Sequence, residues 1–194
     1  MSQDLLLVNS DSVGDPAHFR GIAELESVLE ALPPSPKGLG RCALIVSRRE
    51  GGRRETPERV RLTIEGGVPG DAWGRRADQG LEAQITVMEL AVAELIANGQ
   101  PLALFGDNLF LDLDLSSANL PVGSRLQLGS AQLEVTPKPH NGCKKFLSRF
   151  GEDALRFVGK SDTRHRNFRG IYVRVVQGGD ASPGDQVEVI ERPG

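Results

Sequence analysis

The residues best suited to chemistry lie in one short run, Thr136-Pro-Lys-Pro-His-Asn-Gly-Cys-Lys-Lys-Phe146. It follows directly on a strand predicted over residues 131–135, so Cys143 falls in a loop at a strand end. Pro137, Pro139 and Gly142 stiffen and shape that loop. Lys144, Lys145 and His140 would favour the thiolate over the thiol by placing positive charge beside it. A thiolate is a soft ligand for a transition metal, and it is also the reactive form in sulfur transfer. The plain alternative is a buried, inert cysteine. That description suits Cys42 better, because it sits inside the apolar run 42–47. A zinc site built from His140, Cys143 and His165 would lack a fourth ligand and a recognisable spacing.

Two further loops carry polar groups at glycine turns. Phe105-Gly-Asp-Asn-Leu109 offers a carboxylate and an amide, and Gly66-Gly-Val-Pro-Gly-Asp-Ala-Trp-Gly74 offers Asp71. Either could be an ordinary hairpin turn. Other chemistries lack their signatures. There is no G-x-G-x-x-G after a strand, no G-x-x-x-x-G-K-[ST], no G-x-S-x-G elbow and no H-E-x-x-H. Aromatic residues make up only 5% of the chain, poor material for a base-stacking platform, which argues against nucleic acid as the partner.

The elements that must position these residues read mostly as strands. Residues 42–47 and 59–65 are short apolar or alternating runs, the latter with Val60, Leu62 and Ile64 on one face. Residues 48–58 between them read as a long exposed loop. Residues 86–98 have helical spacing and a stop at Asn98-Gly99. Residues 109–115 alternate, and strands at 125–128 and 131–135 flank a two-residue Gly129-Ser130 turn. A short helix is expected over 152–158, and strands over 171–176 and 186–190 close the chain. Short strands with frequent turns indicate an antiparallel barrel or sandwich. The first forty residues differ: a short strand at 5–8, then a helix opened by Asp15-Pro16 and ended by Pro33-Pro34-Ser-Pro36. The expected organisation is a helical appendage over 1–40 packed on a main domain over 41–194.

With 194 residues, 39% hydrophobic and 25% charged, the chain has the balance of a folded domain that needs no disulfide staple. Its apolar runs fall far short of the roughly 20 residues that span a bilayer, and no secretory signal is visible. A reducing cytoplasm with both thiols free is therefore expected, with no membrane partner. The net charge of -3 is unevenly spread. Residues 138–169 hold nine basic and three acidic residues, a net of +6, against -9 for the remainder. Such a patch concentrates anionic ligands.

The succession Gly70-Asp71, Gly106-Asp107-Asn108-Leu109, Val122-Gly-Ser-Arg-Leu-Gln-Leu-Gly129, the Cys143 loop, Arg169-Gly-Ile-Tyr-Val-Arg-Val-Val176 and Pro183-Gly-Asp-Gln-Val-Glu-Val189 resembles the MOSC domain. That family takes its name from the C-terminal part of molybdenum cofactor sulfurase. The resemblance covers about residues 41–191 and implies a mainly β, barrel-like fold with a few short helices and a cysteine in a pocket.

It further implies a molybdenum-pterin cofactor, with Cys143 as reactive thiol or metal ligand. Lys138, Lys144, Lys145 and Arg149 would hold the pterin phosphate. Asp71, Asp107, Asn108 and His140 would order the pocket or bond the pterin. Asp107 stands where the family usually has Glu, and Gly142 where it often has Pro. Related stand-alone members imply reduction of small N-hydroxylated substrates, with electrons from a separate donor protein, because no flavin or iron-sulfur motif is visible. Pyridoxal phosphate is not expected. The alternatives are a metal-free persulfide carrier and a non-catalytic anion-binding domain.

Overall fold

The structure is a computed structural model and describes residues 8–193. The strand expected at 5–8 lies almost wholly outside them. Seven strands form a closed barrel: β1 (Leu39–Ile45), β5 (Ile85–Glu89), β6 (Leu109–Asp112), β7 (Arg125–Leu128), β8 (Ala131–Val135), β9 (Ile171–Gln177) and β11 (Gln186–Glu191). Around the ring they run β1-β11-β7-β8-β9-β5-β6, and β6 pairs back to β1. Two small pairs lie outside the ring. One joins β2 (Ser47–Arg48) to β3 (Arg54–Glu55), and the other joins β4 (Val60–Leu62) to β10 (Gly179–Ala181). The helices are α1 (Ile22–Ala31), α2 (Leu90–Ala97) and α3 (Lys144–Val158).

The barrel interior is filled by alternating residues. Leu126 and Leu128, then Ala131, Leu133 and Val135, point inward from a hairpin in which Leu128 pairs with Ala131, as the Gly129-Ser130 turn predicts. β5 and β6 are buried on both faces. Val87, Leu109 and Leu111 belong to the interior, while Met88 and Phe110 pack with α1, α2 and α3 in a second apolar cluster. That second cluster contains Leu25, Ile96, Phe105, Phe146, Phe150 and Phe157.

Several expectations are corrected. The helix expected over 86–98 is strand β5 followed without a break by α2. A strand buried on both faces has no period of two, so its apolar residues merged with the helical stripe. The Asn98 stop holds, in left-handed conformation with its N–H bonded to Glu94 O. The pair β5–β6 is parallel, whereas the other strand pairs among the described residues are antiparallel. Ile64 is exposed rather than sharing the buried face of Val60 and Leu62. The helix predicted from Asp15-Pro16 is a single turn over Pro16–His18, and α1 starts afresh at Ile22. The helix expected over 152–158 begins eight residues earlier, with a break at Gly151 (φ 86°, ψ 170°) that divides it.

Candidate functional site

The site is built outside the barrel interior, against the outer face of β5 and β9 where Thr86 pairs with Tyr172. Its foundation is a buried polar brace. Residues 102–105 make one turn ended by Gly106 in the left-handed region (φ 75°), which delivers Asp107 and Asn108 into the start of β6. Asn108 is fully buried. Its amide nitrogen donates to Val46 O and Asp71 Oδ1, both at 3.0 Å. Its carbonyl accepts from the Thr86 backbone N–H (3.2 Å), the Thr86 hydroxyl (3.0 Å) and Arg48 Nη2 (3.2 Å). Asp71 caps the turn over 72–75 through the Trp73 N–H (3.0 Å) and takes a bidentate pair from Arg48 (2.9 and 2.5 Å). Burial pushes the Asp71 carboxyl up, but the Arg48 guanidinium and the N–H bonds outweigh it and hold the carboxyl below its ordinary range. Asp71 and Asn108 therefore lie behind the cavity and aim Arg48 into it.

The cavity itself has a volume of about 630 Å³. Of the residues singled out by sequence, Asp107, His140, Cys143, Lys145 and Arg149 line it. Lys138 and Lys144 are exposed and do not. Cys143 is exposed and occupies the position just before α3. Cys42 is buried, and burial followed by the Asp185 charge pushes its thiol up to about 12. Among the described residues no group of three or more His, Cys, Asp and Glu could hold a metal by itself, so His140, Cys143 and His165 are not brought together as a zinc site.

His140 stands 3.6 Å from Asp107 Oδ1, with its ring 4.6 Å from that of Tyr172. Burial, followed by the charge on Arg169, pushes its pKa down to about 3. The ring is neutral at pH 7 and adds no charge beside Cys143. The Asp107 carboxylate is matched instead by Arg169, 2.8 Å away.

The cavity arginines other than Arg149 are what sequence reading missed. Residues 48–58 are not a plain exposed loop, because the β2–β3 pair folds Arg48, Arg49 and Arg54 over the site. Arg75 and Arg76 come from the Asp71-capped turn, and Arg169 from the approach to β9. With Lys145 and Arg149 the lining holds, among the described residues, eight basic side chains against two acidic ones, Glu50 and Asp107. Three cations have carboxylate partners: Arg48 with Asp71, Arg49 with Glu55 and Arg169 with Asp107. Arg54 and Arg149 have none among the described residues. Burial, followed by repulsion from Arg149 and Arg48, pushes Arg54 down to about 10. Burial also lowers Arg149.

Among the described residues, three buried atoms in the lining lack a hydrogen-bond partner: Arg54 Nε, Arg169 Nε and His140 Nδ1. The two arginine Nε–H groups are orphaned donors, which suit an anion with several acceptor oxygens. Gly106 makes room for the Arg54 guanidinium, since a Cβ there would lie 2.8 Å from Arg54 Nη2.

A family model described as the MOSC domain matches residues 75–188. The chain belongs to the MOSC domain family. The brace residues Arg48 and Asp71, and the cavity residues Arg49 and Arg54, precede the matched MOSC segment. No curated protein matches the chain. Among solved structures, YiiM from Escherichia coli is similar at 19% identity and a TM-score of 0.53, over 79% of this chain and 71% of that one. The YuaD protein from Bacillus subtilis is similar at 16% identity and a TM-score of 0.52, over 77% of this chain and 94% of that one. A structure described as that of a hypothetical protein is similar at 17% identity and a TM-score of 0.53, over 78% and 68%. At these identities the likeness is one of fold alone.

Proposed function

We propose that this MOSC protein binds a molybdenum-pterin cofactor in the arginine-lined cavity, with Cys143 as the thiolate ligand, and reduces small N-hydroxylated substrates. The observation that carries the reading is the pair of half-buried Arg54 and buried Arg149, with no carboxylate partner among the described residues and with orphaned arginine nitrogens nearby. A phosphate-bearing pterin supplies the missing acceptors, and about 630 Å³ is room for a ligand of that size. Arg54, Arg149 and Lys145 would hold the phosphate. Asp107, fixed by Arg169, and neutral His140 would bond the pterin edge. Asp71 and Asn108 act through Arg48, which they hold in place. Bound there, the cofactor supplies a metal able to exchange two electrons and to take up an oxygen atom. Reduction of an N–OH group consumes two electrons and two protons and releases water. The electrons come from a separate donor chain, in a cytoplasmic setting.

The test is molybdenum and pterin content of the protein made in a cofactor-competent host. Near-stoichiometric metal and pterin are expected. Cys143→Ser should lose the metal, and Arg54→Gln should lower the pterin content. Protein that contains neither, or a Cys143→Ser variant that retains both, sinks the reading. The exposure of Cys143 favours one other function, a persulfide carrier. It would be recognised by a mass increment of one sulfur that reduction removes.

A further inference from the structure

Residues 8–14 lie ahead of the matched MOSC segment, yet they are bonded to Arg54 and Arg149, two cavity arginines with no carboxylate partner among the described residues. The Val8 carbonyl accepts the backbone N–H of Arg54 at 2.9 Å, and Asn9 bridges to Arg53. The Arg149 guanidinium donates to Ser10 O at 2.7 Å and to Ser12 O at 3.3 Å. Gly14 N donates to Ser148 O at 3.1 Å, and Asp15 N donates to Gln100 Oε1 at 2.8 Å. The Gln100 amide in turn reaches Arg149 O at 3.4 Å. Ser10 lines the cavity directly.

We infer that residues 8–14 are a strap that completes a site for a phosphate group, so that strap docking and phosphate binding reinforce each other. The inference rests on the anion-site reading above, but not on which molecule carries the phosphate. Its physical basis is the charge balance around Arg54 and Arg149. Two like charges at one cavity repel, and among the described residues Arg149 is held by carbonyl oxygens alone, two of them from the strap and the third from Phe105 (3.4 Å). Undocking the strap frees the guanidinium to reorient, so a phosphate must then order it at an entropic cost. A bound phosphate offsets the repulsion that works against the docked arrangement. Linkage requires that each event strengthen the other by the same factor.

The test is residue-resolved amide hydrogen exchange on the full, cofactor-free chain, with sodium phosphate against sodium chloride of equal ionic strength. The Arg54 and Gly14 amides report docking, because their acceptors are Val8 O and Ser148 O. Saturating phosphate should slow both by about tenfold, a typical coupling, and leave the β7–β8 amides unchanged. Gly14→Val, whose side chain would overlap the Arg149 carbonyl, should weaken phosphate binding by a similar factor. Phosphate that binds without slowing either amide overturns the strap, as does wild-type protein that binds no phosphate. So does Gly14→Val protein that binds as tightly as wild type.

The wild-type exchange result decides the matter even if the valine unfolds the barrel. In cofactor-loaded protein both amides should already be slow and added phosphate without effect, if the cofactor's own phosphate fills the site. A missing phosphate response in protein able to load metal and pterin would reject the strap alone. A clear response in protein that never loads them would reject only the cofactor reading.

Discussion

His140 is held neutral in the folded chain because protonation would add a charge in a buried place already facing Arg169. In the unfolded chain the same ring titrates near its ordinary value of about 6.5. Between that pH and about 3 the unfolded state binds the extra proton and the native state does not, so stability is full above 6.5 and falls as pH drops. Urea unfolding of cofactor-free protein should lose up to about 1.4 kcal/mol per pH unit from this one proton across pH 6 to 4. His140→Gln should flatten that interval, and an unchanged slope would show that the ring is not buried uncharged. The steeper loss below pH 4, where the Asp71 carboxylate is protonated away from Arg48, should persist in the variant. His140, Asp107 and Cys143 were legible in the sequence because prolines, glycines and charges crowd their loops, and Arg149 because it belongs to the basic run that follows Cys143. The arginines at 48, 49, 54, 75 and 76 were not. In sequence the first three alternate with Glu50, Glu55 and Glu58, the last two stand beside Asp78, and all look like a solvated surface of mixed charge. Only folding gathers these guanidinium groups at the cavity while Glu55, Glu58 and Asp78 stay out of its lining.

At the scale of elements, α3 joins the site to the helical layer. Phe146, Phe150, Ala154 and Phe157 are its buried apolar residues, and Phe150 stacks on Phe105 with ring centroids 4.0 Å apart. Phe105 immediately precedes Gly106 and Asp107, so this stack fixes the loop that presents the carboxylate. Phe150→Ala should cost about 3–5 kcal/mol in denaturant unfolding, and Phe150→Leu clearly less. Equal costs for the two would mean that ring stacking and volume do not set the position of the loop. The spacing of those four residues was present in the sequence, but Gly151 hid it, since a glycine at positive φ divides the stripe into two short pieces. A Cβ at Gly151 would stand 2.8 Å from Phe19 Cδ2, so the break also seats the N-terminal segment. The β7–β8 hairpin, by contrast, was fully legible. One face is buried and the other is not, so alternation and turn type pointed to the same register. β5 lacked that contrast.

On the scale of the whole molecule, a chain of net charge -3 gathers eight basic side chains around one cavity. The field there opposes the sign of the whole, so attraction for an anion is local and open to screening. Raising ionic strength from about 0.01 M to about 0.15 M shortens the Debye length from about 30 Å to about 8 Å. The association rate of inorganic pyrophosphate in stopped-flow mixing should fall about tenfold over that range. A rate indifferent to salt would mean that the cavity does not steer its ligand. The closure of the ring bears on how the chain comes to be folded at all. β1 pairs on one side with β6 and on the other with β11, where Leu39 faces Glu188. The first barrel strand thus waits for the last, and the gap in the wall persists until β11 is made. A ribosome-bound chain can assemble the β7–β8 hairpin before that. The barrel seam seals only after residues 186–191 have left the exit tunnel, and until then β1 offers an unpaired edge to whatever else is nearby.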